Sequence, residues 1–453
     1  MGIFDRFKKG KKVVVIGLDG TPHSLVTRFM KEGIMPNFQK LSRQGSFNPL
    51  FSVLPTVSCV AWSSFMTGKN PAKHNIFGFQ DRSAGSYHPY IPNASHMMSP
   101  TLWDILSAEG KRVIVMGVPV TYPPKPVNGI LVGCFLAPDV EKATYPPELG
   151  KELKATRGYQ LDIDPWKARK EIDSVIPQVT DVFRKRRDTL WDFLRKEEWD
   201  FFMTHFMETD RLHHFLWEHM ETGIEPYCRQ FKDFYREVDV FLGELATELE
   251  GKATLIILSD HGFCTLKEEV YVNKWLVERG YLRFKAEEPK GIQDIDAANT
   301  RAYSLDPGRI YINLKGREPQ GIVNPGKEYQ ALREELIREV AQLKDPETGE
   351  LMLESVKVRE DLYSGPYFDA SPDIVMVPKR GYDLKGSVNK KTLTDKGPIV
   401  GMHTFDDAML YIQDQEIKLS DISIIDCLPT ILHLMGSAIP ADVDGRNILA
   451  NRK

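Results

Sequence analysis

Cysteine is scarce in this 453-residue chain, and cysteine pairs at metal-ligand spacing are absent. An odd number of scattered cysteines with no C-x-x-C pair argues against both a disulfide framework and a thiolate zinc site. We therefore predict a reducing compartment and a cytoplasmic protein. The five cysteines are Cys59, Cys134, Cys228, Cys264 and Cys427.

Long hydrophobic runs and an excess of charge of either sign are also missing. The longest apolar stretches, Val13–Leu18 and Ile130–Pro138, are much shorter than the ~20 residues that a membrane helix needs. Lys and Arg number 59 against 63 Asp and Glu, so the formal net charge is only −4. This balance argues against a nucleic-acid-binding surface. We predict no transmembrane segment and no stable complex with nucleic acid, and no sequence signal defines an oligomeric state.

The N-terminal segment lacks the features of a targeting signal. Its residues, MGIFDRFKKGKK, are basic but contain no apolar region of roughly 7–15 residues, as a secretory signal would. Arg6 stands where a myristoylation motif requires Ser or Thr. We interpret residues 1–11 as a basic leader. The alternative is a weak peripheral membrane contact through Ile3, Phe4 and Phe7.

Hydrophobic residues make up 42% of the chain, which is enough for a sizeable core. Short β-branched runs alternate with amphipathic stretches, a pattern typical of an α/β protein with a mostly parallel sheet. The clearest predicted strands are Lys12–Leu18, Arg112–Val118, Phe201–Phe206, Ala253–Leu258 and Met409–Gln413. The clearest predicted helices cover residues 100–110, 179–194, 227–245 and 423–435.

The pattern becomes less regular between about residues 265 and 400, where glycine and proline are frequent. Only a strand at 309–314 and a helix near 327–343 stand out there. We therefore predict an α/β core formed by residues 12–264 and 400–449, with a possible insertion at about 80–175. Residues 265–399 would form an inserted cap.

Acidic and histidine side chains follow two of the predicted strands. Asp19 ends the run VVVIGLDG, and Asp260 and His261 end the run LIILSDHG. A carboxylate in this position can point into the crevice above a sheet, although an Asp-Gly pair is also a common turn. Asp260 and His261 can reach one metal only if the backbone turns, which Gly262 would allow. The alternative is a capping aspartate beside a buried histidine.

Two further segments carry candidate metal ligands. In THFMETDRLHHFLW, Asp210 and His214 are four residues apart and share one face of a helix, where both can reach one metal. His213 would face elsewhere, and the alternative is an ordinary solvated helix face. His403, in GMHTFDD, is a single histidine in a predicted loop and by itself is weak evidence for a metal ligand. Carboxylate and imidazole ligands suit zinc or manganese.

Ser58 is a candidate nucleophile. It precedes a predicted buried helix in LPTVSCVAWSSFMTGKNPAKHNIFGF. A serine there is often only a helix cap. The same position surrounds its oxygen with free N–H groups and the positive end of the helix dipole, which favours a bound phosphate.

Together these segments resemble the alkaline phosphatase superfamily, in particular its type I phosphodiesterase/nucleotide pyrophosphatase branch and the related predicted phosphohydrolases and phosphomutases. The elements occur in the order GLDG, PTVSCVAWSSFMTGKNPAKHNIFGF, DRLHH, SDHG and GMH. The similarity runs from about Val13 to Leu449. It implies an alkaline-phosphatase-like three-layer core with a mostly parallel central sheet and an inserted cap.

The resemblance also implies two divalent metal ions, zinc or alternatively manganese. One would be bound by Asp19, Asp260, His261 and the nucleophile Ser58. The other would be bound by Asp210, His214 and His403. The family nucleophile lies ten residues before the Gly of the T-G pair, here Gly68, which indicates Ser58, with Thr56 as the alternative. A two-metal site suits in-line phosphoryl displacement through a phospho-serine.

Differences from the sulfatase and alkaline phosphatase branches of the superfamily narrow the class of substrate that we expect. Ser58 and Cys59 do not begin the C/S-x-P-x-R signature that sulfatases need. Alkaline phosphatases proper bind the extra charge of a monoester with an arginine, and no motif here identifies an equivalent. Lys69, Lys73 and Arg211 are candidates for this charge.

We therefore predict a phosphodiesterase or nucleotide pyrophosphatase that acts on a small-molecule phosphate ester. The alternatives are a phosphomonoesterase or phosphomutase of the same superfamily, and a metal-binding protein without catalysis. Trp62, Phe65 and Cys59 are interpreted as packing residues. Tyr122 and Arg317 are possible substrate contacts without an assigned role.

Overall fold

The computed structural model describes residues 10–83, 85–417 and 419–449. The predicted membrane contacts Ile3, Phe4 and Phe7, and most of the basic leader, lie outside these residues. None of the described helices is long and apolar enough to cross a bilayer.

The described residues form strands that alternate with helices. The strands are β1 Lys12–Leu18, β2 Gly45–Leu50, β3 Asp81–Arg82, β4 Pro89–Tyr90, β5 Val113–Met116, β6 Gly129–Val132, β7 Thr144–Tyr145, β8 Phe201–Phe206, β9 Ala253–Leu258, β10 Gly262–Thr265, β11 Glu268–Tyr271, β12 Ala302–Leu305, β13 Arg309–Ile312, β14 Leu353–Val358, β15 Ile374–Pro378, β16 Tyr382–Lys385, β17 Thr394–Asp395, β18 Gly401–Thr404 and β19 Ala408–Gln413.

The helices include long amphipathic ones and several short turns. They are α1 His23–Lys31, α2 Pro36–Leu41, α3 Ser58–Thr67, α4 Pro71–His74, α5 Leu102–Ala108, α6 Glu148–Arg157, α7 Pro165–Lys170, α8 Val175–Lys196, α9 Glu208–Thr222, α10 Tyr227–Leu249, α11 Val272–Glu278, α12 Lys327–Val340, α13 Arg359–Leu362 and α14 Cys427–Leu434.

The central sheet has eight strands in the order β2-β19-β9-β1-β8-β5-β6-β7. The pairs β9–β1, β1–β8, β8–β5 and β5–β6 are parallel. The strands at the two ends, β2, β19 and β7, pair antiparallel. The predicted fold class, a mostly parallel sheet surrounded by helices, is confirmed.

Strand β1 shows why this sheet is buried on both faces. Its side chains alternate, so Val13 and Val15 enter one hydrophobic cluster, whereas Val14 and Ile16 enter the cluster on the opposite face. A parallel strand that is covered on both faces reads as a continuous apolar run, which explains the sequence VVVIGL. Each fully buried valine or isoleucine contributes about 1.5–3 kcal/mol relative to an exposed one.

Helices cover both faces of the sheet and complete three layers. Helices α8, α9 and α10 contribute to the first cluster, and α3, α5 and α14 contribute to the second. Helix α3 is buried along its whole length. It ends at Gly68, whose φ of +65° is the left-handed conformation that favours glycine after a helix.

A third hydrophobic cluster lies within residues 270–384. It packs around the antiparallel sheet β12-β13-β15-β14 and one face of α12, which buries Tyr329, Leu332 and Leu336. The small sheets β16-β11-β17 and β10-β18 adjoin it in sequence. The third cluster and the sheet β16-β11-β17 fall inside the region predicted as a cap, whereas β10 and β18 lie at its two ends, almost entirely in the segments predicted as core. The domain boundaries stay a prediction.

Candidate active site

Three neighbouring strands of the central sheet deliver the acidic candidates to one edge. Asp19 follows β1 directly, and Asp260 and His261 follow β9. Asp210 lies on α9, which begins just after β8. Because β9, β1 and β8 are parallel neighbours, their carboxyl ends open into the same crevice, the usual ligand position in such sheets.

Ser58 lies at the first residue of α3 and faces this crevice. Its Oγ donates a hydrogen bond to Asp19 Oδ1 at 3.3 Å and lies 3.2 Å from His261 Nε2. Thr56, the alternative nucleophile, instead donates its hydroxyl hydrogen to the Val53 carbonyl oxygen at 3.1 Å. The geometry therefore favours Ser58 over Thr56.

Asp19, Asp260 and His261 form the first group of candidate metal ligands. One donor atom from each lies within 4.8 Å of the others, and all three residues are fully buried. His261 Nε2 lies 3.5 Å from Asp19 Oδ1 and 3.4 Å from Asp260 Oδ2. Asp260 Oδ1 accepts a hydrogen bond from the Gly20 N–H, but Asp260 Oδ2 is buried without any hydrogen-bond partner. A bound cation would satisfy this oxygen.

Asp210, His214 and His403 form the second group. His403 Nε2 lies 3.2 Å from Asp210 Oδ1 and 3.1 Å from His214 Nε2. His214 Nε2 lies 3.4 Å from Asp210 Oδ1. His261 adjoins this group as well, since its ring stacks on the His403 ring with centroids 3.6 Å apart. The two groups are therefore contiguous.

Backbone carbonyls orient the imidazole rings toward the centre. His214 Nδ1 lies 3.0 Å from the Gly401 carbonyl oxygen, and His261 Nδ1 lies 3.1 Å from that of Gly262. Because a carbonyl only accepts, Nδ1 carries the hydrogen and Nε2 keeps its lone pair for the centre of the site. Metal-binding histidines are usually held in this way.

Burial and the neighbouring carboxylates shift several pKa values in the site. Burial, together with the charge of Asp19, raises the pKa of Asp260 well above its usual range. Burial also lowers the pKa of His261 to about 3 and that of His214 to about 4. For Asp210, burial is outweighed by His214 and His403, which hold its pKa well below its usual range. Neutral imidazoles beside crowded carboxylates form a donor set that fits divalent cations.

Gly262 directly follows the candidate ligands Asp260 and His261, but it does not turn the chain through a left-handed conformation, because its φ is not in that region. A Cβ at this position would lie 2.4 Å from Thr404 Oγ1 and 2.8 Å from Asp407 Cβ. The glycine is needed for the close approach of β10 to β18, the strand that carries His403.

Sequence reasoning missed two residues that hold Asp19. Trp62 was expected only to pack, and it is buried, but its Nε1 also donates to Asp19 Oδ2 at 2.9 Å. His205 Nε2 contacts the same oxygen at 2.7 Å. The available signal was that a buried tryptophan N–H usually finds an acceptor. Trp62 also lies one helical turn after Ser58.

His213 faces away from the candidate ligands, as predicted. Its Nδ1 donates to the Gly20 carbonyl oxygen at 3.0 Å, and its Nε2 accepts from the Tyr235 hydroxyl at 2.8 Å. The Tyr235 hydroxyl also lies 3.2 Å from Thr21 Oγ1. This buried network fixes the turn that follows Asp19.

The remaining candidates divide into distant and nearby residues. Lys69 and Lys73 pair with Asp442 and Asp444 of the C-terminal segment. Arg317 pairs with Asp373 inside the predicted cap, and no described contact links it to the ligands. Arg211 lies beside the site, with Nη1 3.4 Å from Asp210 Oδ2.

A cavity of about 560 Å³ opens beside the candidate ligands His214 and His403. On one side it is bounded by the loop that precedes Ser58, from Leu54 to Val57. On the other side it is bounded by residues of the predicted cap, among them Met376, Leu384 and Arg380. Ligand sites are commonly of this size, roughly 300–1,000 Å³.

Comparison with known proteins identifies the family of the chain. A sequence profile described as type I phosphodiesterase/nucleotide pyrophosphatase matches residues 13–406. The sequence matches none of the curated proteins with which it was compared.

Solved structures share the fold at low sequence identity. Phosphonoacetate hydrolase from Sinorhizobium meliloti 1021, in complex with phosphonoformate, superposes with a TM-score of 0.62 at 16% identity, covering 95% of this chain and 96% of that one. Murine ectonucleotide pyrophosphatase/phosphodiesterase 5 superposes with a TM-score of 0.58 at 14% identity, covering 97% and 100%. An inactive form of the murine protein in complex with AMP gives the same TM-score, identity and coverage.

Proposed function

Because the chain belongs to the type I phosphodiesterase/nucleotide pyrophosphatase family, we propose that it hydrolyses phosphodiester or pyrophosphate bonds of small molecules such as nucleotides. Ser58 is the proposed nucleophile, and Asp19, Asp260, His261, Asp210, His214 and His403 are the proposed ligands of two divalent ions, zinc or manganese. Family membership supports the coarser statement that the chain is a phosphoester hydrolase.

One observation carries the proposal for the site. The buried Oδ2 of Asp260 lacks a hydrogen-bond partner and lies 3.4 Å from a histidine nitrogen whose other side is bonded to a carbonyl. An unsatisfied buried carboxylate oxygen costs about 1–3 kcal/mol or more. A cation in the centre of the group removes this cost. When bound, a divalent ion lowers the pKa of the serine hydroxyl and neutralises charge on the phosphoryl oxygens.

The protein's own residues prepare the displacement. Asp19 accepts the hydroxyl hydrogen of Ser58, which leaves the lone pairs of Oγ available for attack on a phosphorus atom. Ser58 begins α3, whose first N–H groups have no partner within the helix and can donate to a phosphoryl oxygen. Attack by Oγ forms the P–O bond to serine and breaks the bond to the leaving alcohol or phosphate, and the proton lost by the serine hydroxyl ends on that leaving group. Water then attacks the phospho-serine, releasing the phosphorylated product and restoring the hydroxyl.

The cavity beside His214 and His403 favours a substrate whose phosphorus carries a second organic substituent. A phosphodiester carries a substituent on each side of the phosphorus, and one of them would occupy this space. The walls are apolar at Leu54, Met376 and Leu384 and charged at Arg380, which pairs with Asp406 at 2.9 Å. Such walls suit a nucleoside. The complex of the murine neighbour with AMP gives the same indication.

Metal analysis combined with phosphoester assays tests the proposal. We expect about two metal ions per chain and hydrolysis of bis-p-nitrophenyl phosphate in the presence of zinc or manganese. Ser58→Ala should lower turnover by at least about 10³-fold while metal content is retained. Ser63→Ala is a matched control on the same helix, because Ser63 Oγ bonds only to the Cys59 carbonyl oxygen.

Three results would contradict the proposal. Full turnover in Ser58→Ala would exclude Ser58 and redirect attention to Thr56. Protein without bound metal would contradict the ligand assignment. Cleavage of p-nitrophenyl phosphate without cleavage of bis-p-nitrophenyl phosphate would indicate a phosphomonoesterase. This is the second candidate function, and the position of Arg211 beside Asp210 favours it.

A further inference from the structure

Arg211 is held in a fixed orientation at the edge of the candidate site. Its Nε lies 3.1 Å from Asp162 Oδ1, and its Nη2 lies 2.5 Å from Asp162 Oδ2. The guanidinium also lies over the Phe135 ring, 5.4 Å from the centroid. The Arg211 side chain is only 19% exposed and that of Asp162 only 15%. An arginine held on one edge by a carboxylate and on one face by a ring is pre-organised for a second anion.

The free part of the guanidinium is directed toward the ligands. Nη1 lies 3.4 Å from Asp210 Oδ2, which is long for a hydrogen bond. This contact engages at most one of the two Nη1 hydrogens. A guanidinium has more N–H donors than these contacts use. Arg211 also interacts electrostatically with Asp19 and His214, which belong to the two ligand groups.

Other basic residues considered for this position are engaged elsewhere. Lys69 Nζ lies 2.5 Å from Asp442 Oδ2, and Lys73 pairs with Asp444. Among the described cations that the sequence suggested for an extra phosphate charge, Arg211 is the one that contacts a candidate ligand.

We propose that Arg211 binds a non-bridging oxygen of the phosphoryl group, so that the site accepts dianionic monoesters as well as diesters. Asp162 is the positioning residue that aims the guanidinium. This inference rests on the proposed phosphoester hydrolase function. Beyond the metal ligands, the role of Arg211 predicts that the enzyme discriminates only weakly between phosphate monoesters and diesters.

Arg211 could instead act only by orienting Asp210, and the two roles predict different selectivity. A positioning role would lower monoester and diester hydrolysis by the same factor, because both reactions use the same ligands. A substrate contact would affect the monoester more, because a monoester carries an additional anionic oxygen. Loss of a charge-assisted hydrogen bond to that oxygen corresponds to about 10- to 100-fold in rate.

The experiment compares kcat/KM for p-nitrophenyl phosphate and bis-p-nitrophenyl phosphate in the metal-loaded protein. We expect Arg211→Ala to lower the monoester value by about 10- to 100-fold and the diester value by less than about threefold. Asp162→Asn should shift the ratio in the same direction by a smaller factor. Arg184→Ala removes an arginine whose side chain is 57% exposed and paired with Glu237, and it should leave the ratio unchanged.

Two further readouts do not depend on turnover. Metal content should be equal in wild type, Arg211→Ala and Arg184→Ala. Inorganic phosphate should raise the Tm of the metal-loaded wild type, and Arg211→Ala should lose most of this shift. Equal losses for both esters, a loss of metal in Arg211→Ala, or a phosphate-induced Tm shift that survives the substitution would each overturn the proposal.

These results separate failure of this inference from failure of the proposed function. If wild-type protein cleaves neither ester, the hydrolase assignment fails for these substrates, whereas the phosphate-induced Tm shift still tests Arg211. If wild type cleaves both esters and Arg211→Ala keeps their ratio, only the role of Arg211 is rejected. If Arg211→Ala does not fold, Asp162→Asn supplies the same comparison.

Discussion

Asp19 is the most heavily constrained side chain of the site. Its Oδ1 accepts from Ser58, and its Oδ2 contacts both Trp62 Nε1 and His205 Nε2. Burial and the charge of Asp210 raise its pKa, but the hydrogen bond from His205 and the charges of His205 and His261 outweigh them and keep the pKa below its usual range. An ionised carboxylate with one oxygen fixed by two partners presents the other oxygen in a single direction.

Trp62→Phe should weaken metal binding without unfolding the protein. The phenyl ring keeps most of the packing, but the hydrogen bond to Asp19 Oδ2 is lost. Loss of such a supporting bond typically costs about 10- to 100-fold in metal affinity or activity. Competition with a chelator measures this affinity. Trp103→Phe is the matched control, since Trp103 is buried in the same cluster as Trp62; a similar loss of affinity there would show that packing alone is responsible.

His74 gives a prediction about acid stability. It is fully buried, its Nδ1 accepts from the Ile76 N–H, and its Nε2 lies 3.0 Å from Ser64 Oγ. Burial lowers its pKa to about 3, whereas the unfolded value is about 6.5. Between these values the unfolded chain binds more protons, so the free energy of unfolding falls as the pH decreases.

His74→Gln should remove this contribution. Between pH 6.5 and 4.5 the wild type should lose about 2–3 kcal/mol more than the variant. Chemical denaturation of chelator-treated protein at several pH values measures the difference. His88→Gln, at an exposed histidine, should follow the wild-type curve, and identical curves for His74→Gln would contradict the prediction.

At the scale of elements, the two-stranded sheet β10-β18 connects the two ligand groups. Gly262 pairs with Thr404, and Phe263 pairs with His403. The pairing brings His403, from a distant part of the sequence, next to His261. Its close approach depends on the absence of a side chain at Gly262.

Gly262→Ala should therefore separate the two ligand groups. Its Cβ would lie 2.4 Å from Thr404 Oγ1 and 2.9 Å from the backbone carbonyl carbon of Asp407. We expect the chain at residues 404–407 to shift and to displace the neighbouring His403. We expect loss of at least one bound metal ion and a lower Tm, with a cost of about 1–3 kcal/mol for overpacking. Gly397→Ala is the control, because no atom lies within 4 Å of the added Cβ. Retention of both metal ions in Gly262→Ala would disprove the role given to this glycine.

Elements with a strong period or a continuous apolar run were predictable from the sequence. Strands β1, β8 and β9 have the predicted bounds, and α10 covers the predicted helix 227–245. Helix α8 begins at Val175, four residues before the predicted start. Its first turn follows a short 3₁₀ helix at Ile172–Ser174, and Ser174 at the N-cap makes no capping hydrogen bond with its side chain.

The candidate ligands could be recognised in the sequence because each one follows a predicted strand or lies in a specific motif; their role as ligands stays a prediction. The residues that position these side chains could not be recognised. Trp62 and His205 act on Asp19 through contacts that link three separate segments, and neither has a local pattern that distinguishes it from a packing residue. Arg211 is similar, since its orientation depends on Asp162 and Phe135.

A buried ion pair joins the segment after α4 to the antiparallel sheet β12-β13-β15-β14. Arg309 of β13 is fully buried and lies 2.7 Å from Asp81 Oδ1. It also bonds to the carbonyl oxygens of Gln80 and Asp306. Gly78 makes room for it, because a Cβ there would collide with the guanidinium. Burial raises the pKa of Asp81 even though Arg309 opposes this effect.

Arg309→Met should be strongly destabilising. It leaves Asp81 buried without its cation, and breaking a buried pair in this way costs about 3–5 kcal/mol. The midpoint of urea denaturation measures the loss, and the double variant Asp81→Asn with Arg309→Met should regain part of it. Arg236→Met, which removes an exposed pair with Asp233, should change stability by less than about 1 kcal/mol. A small effect of Arg309→Met would show that this pair does not hold the two parts together.

The strand order of the central sheet has a consequence for synthesis of the chain. Strand β19 lies between β2 and β9, so the N-terminal β2 and the middle strand β9 have no pairing with each other. During translation β2 and β9 are synthesised before β19, so both strands lack this pairing partner until β19 has been made. Until then β9 offers an open edge, and an unpaired edge strand invites aggregation. We therefore expect the nascent chain to be prone to aggregation through β9 until β19 has been synthesised.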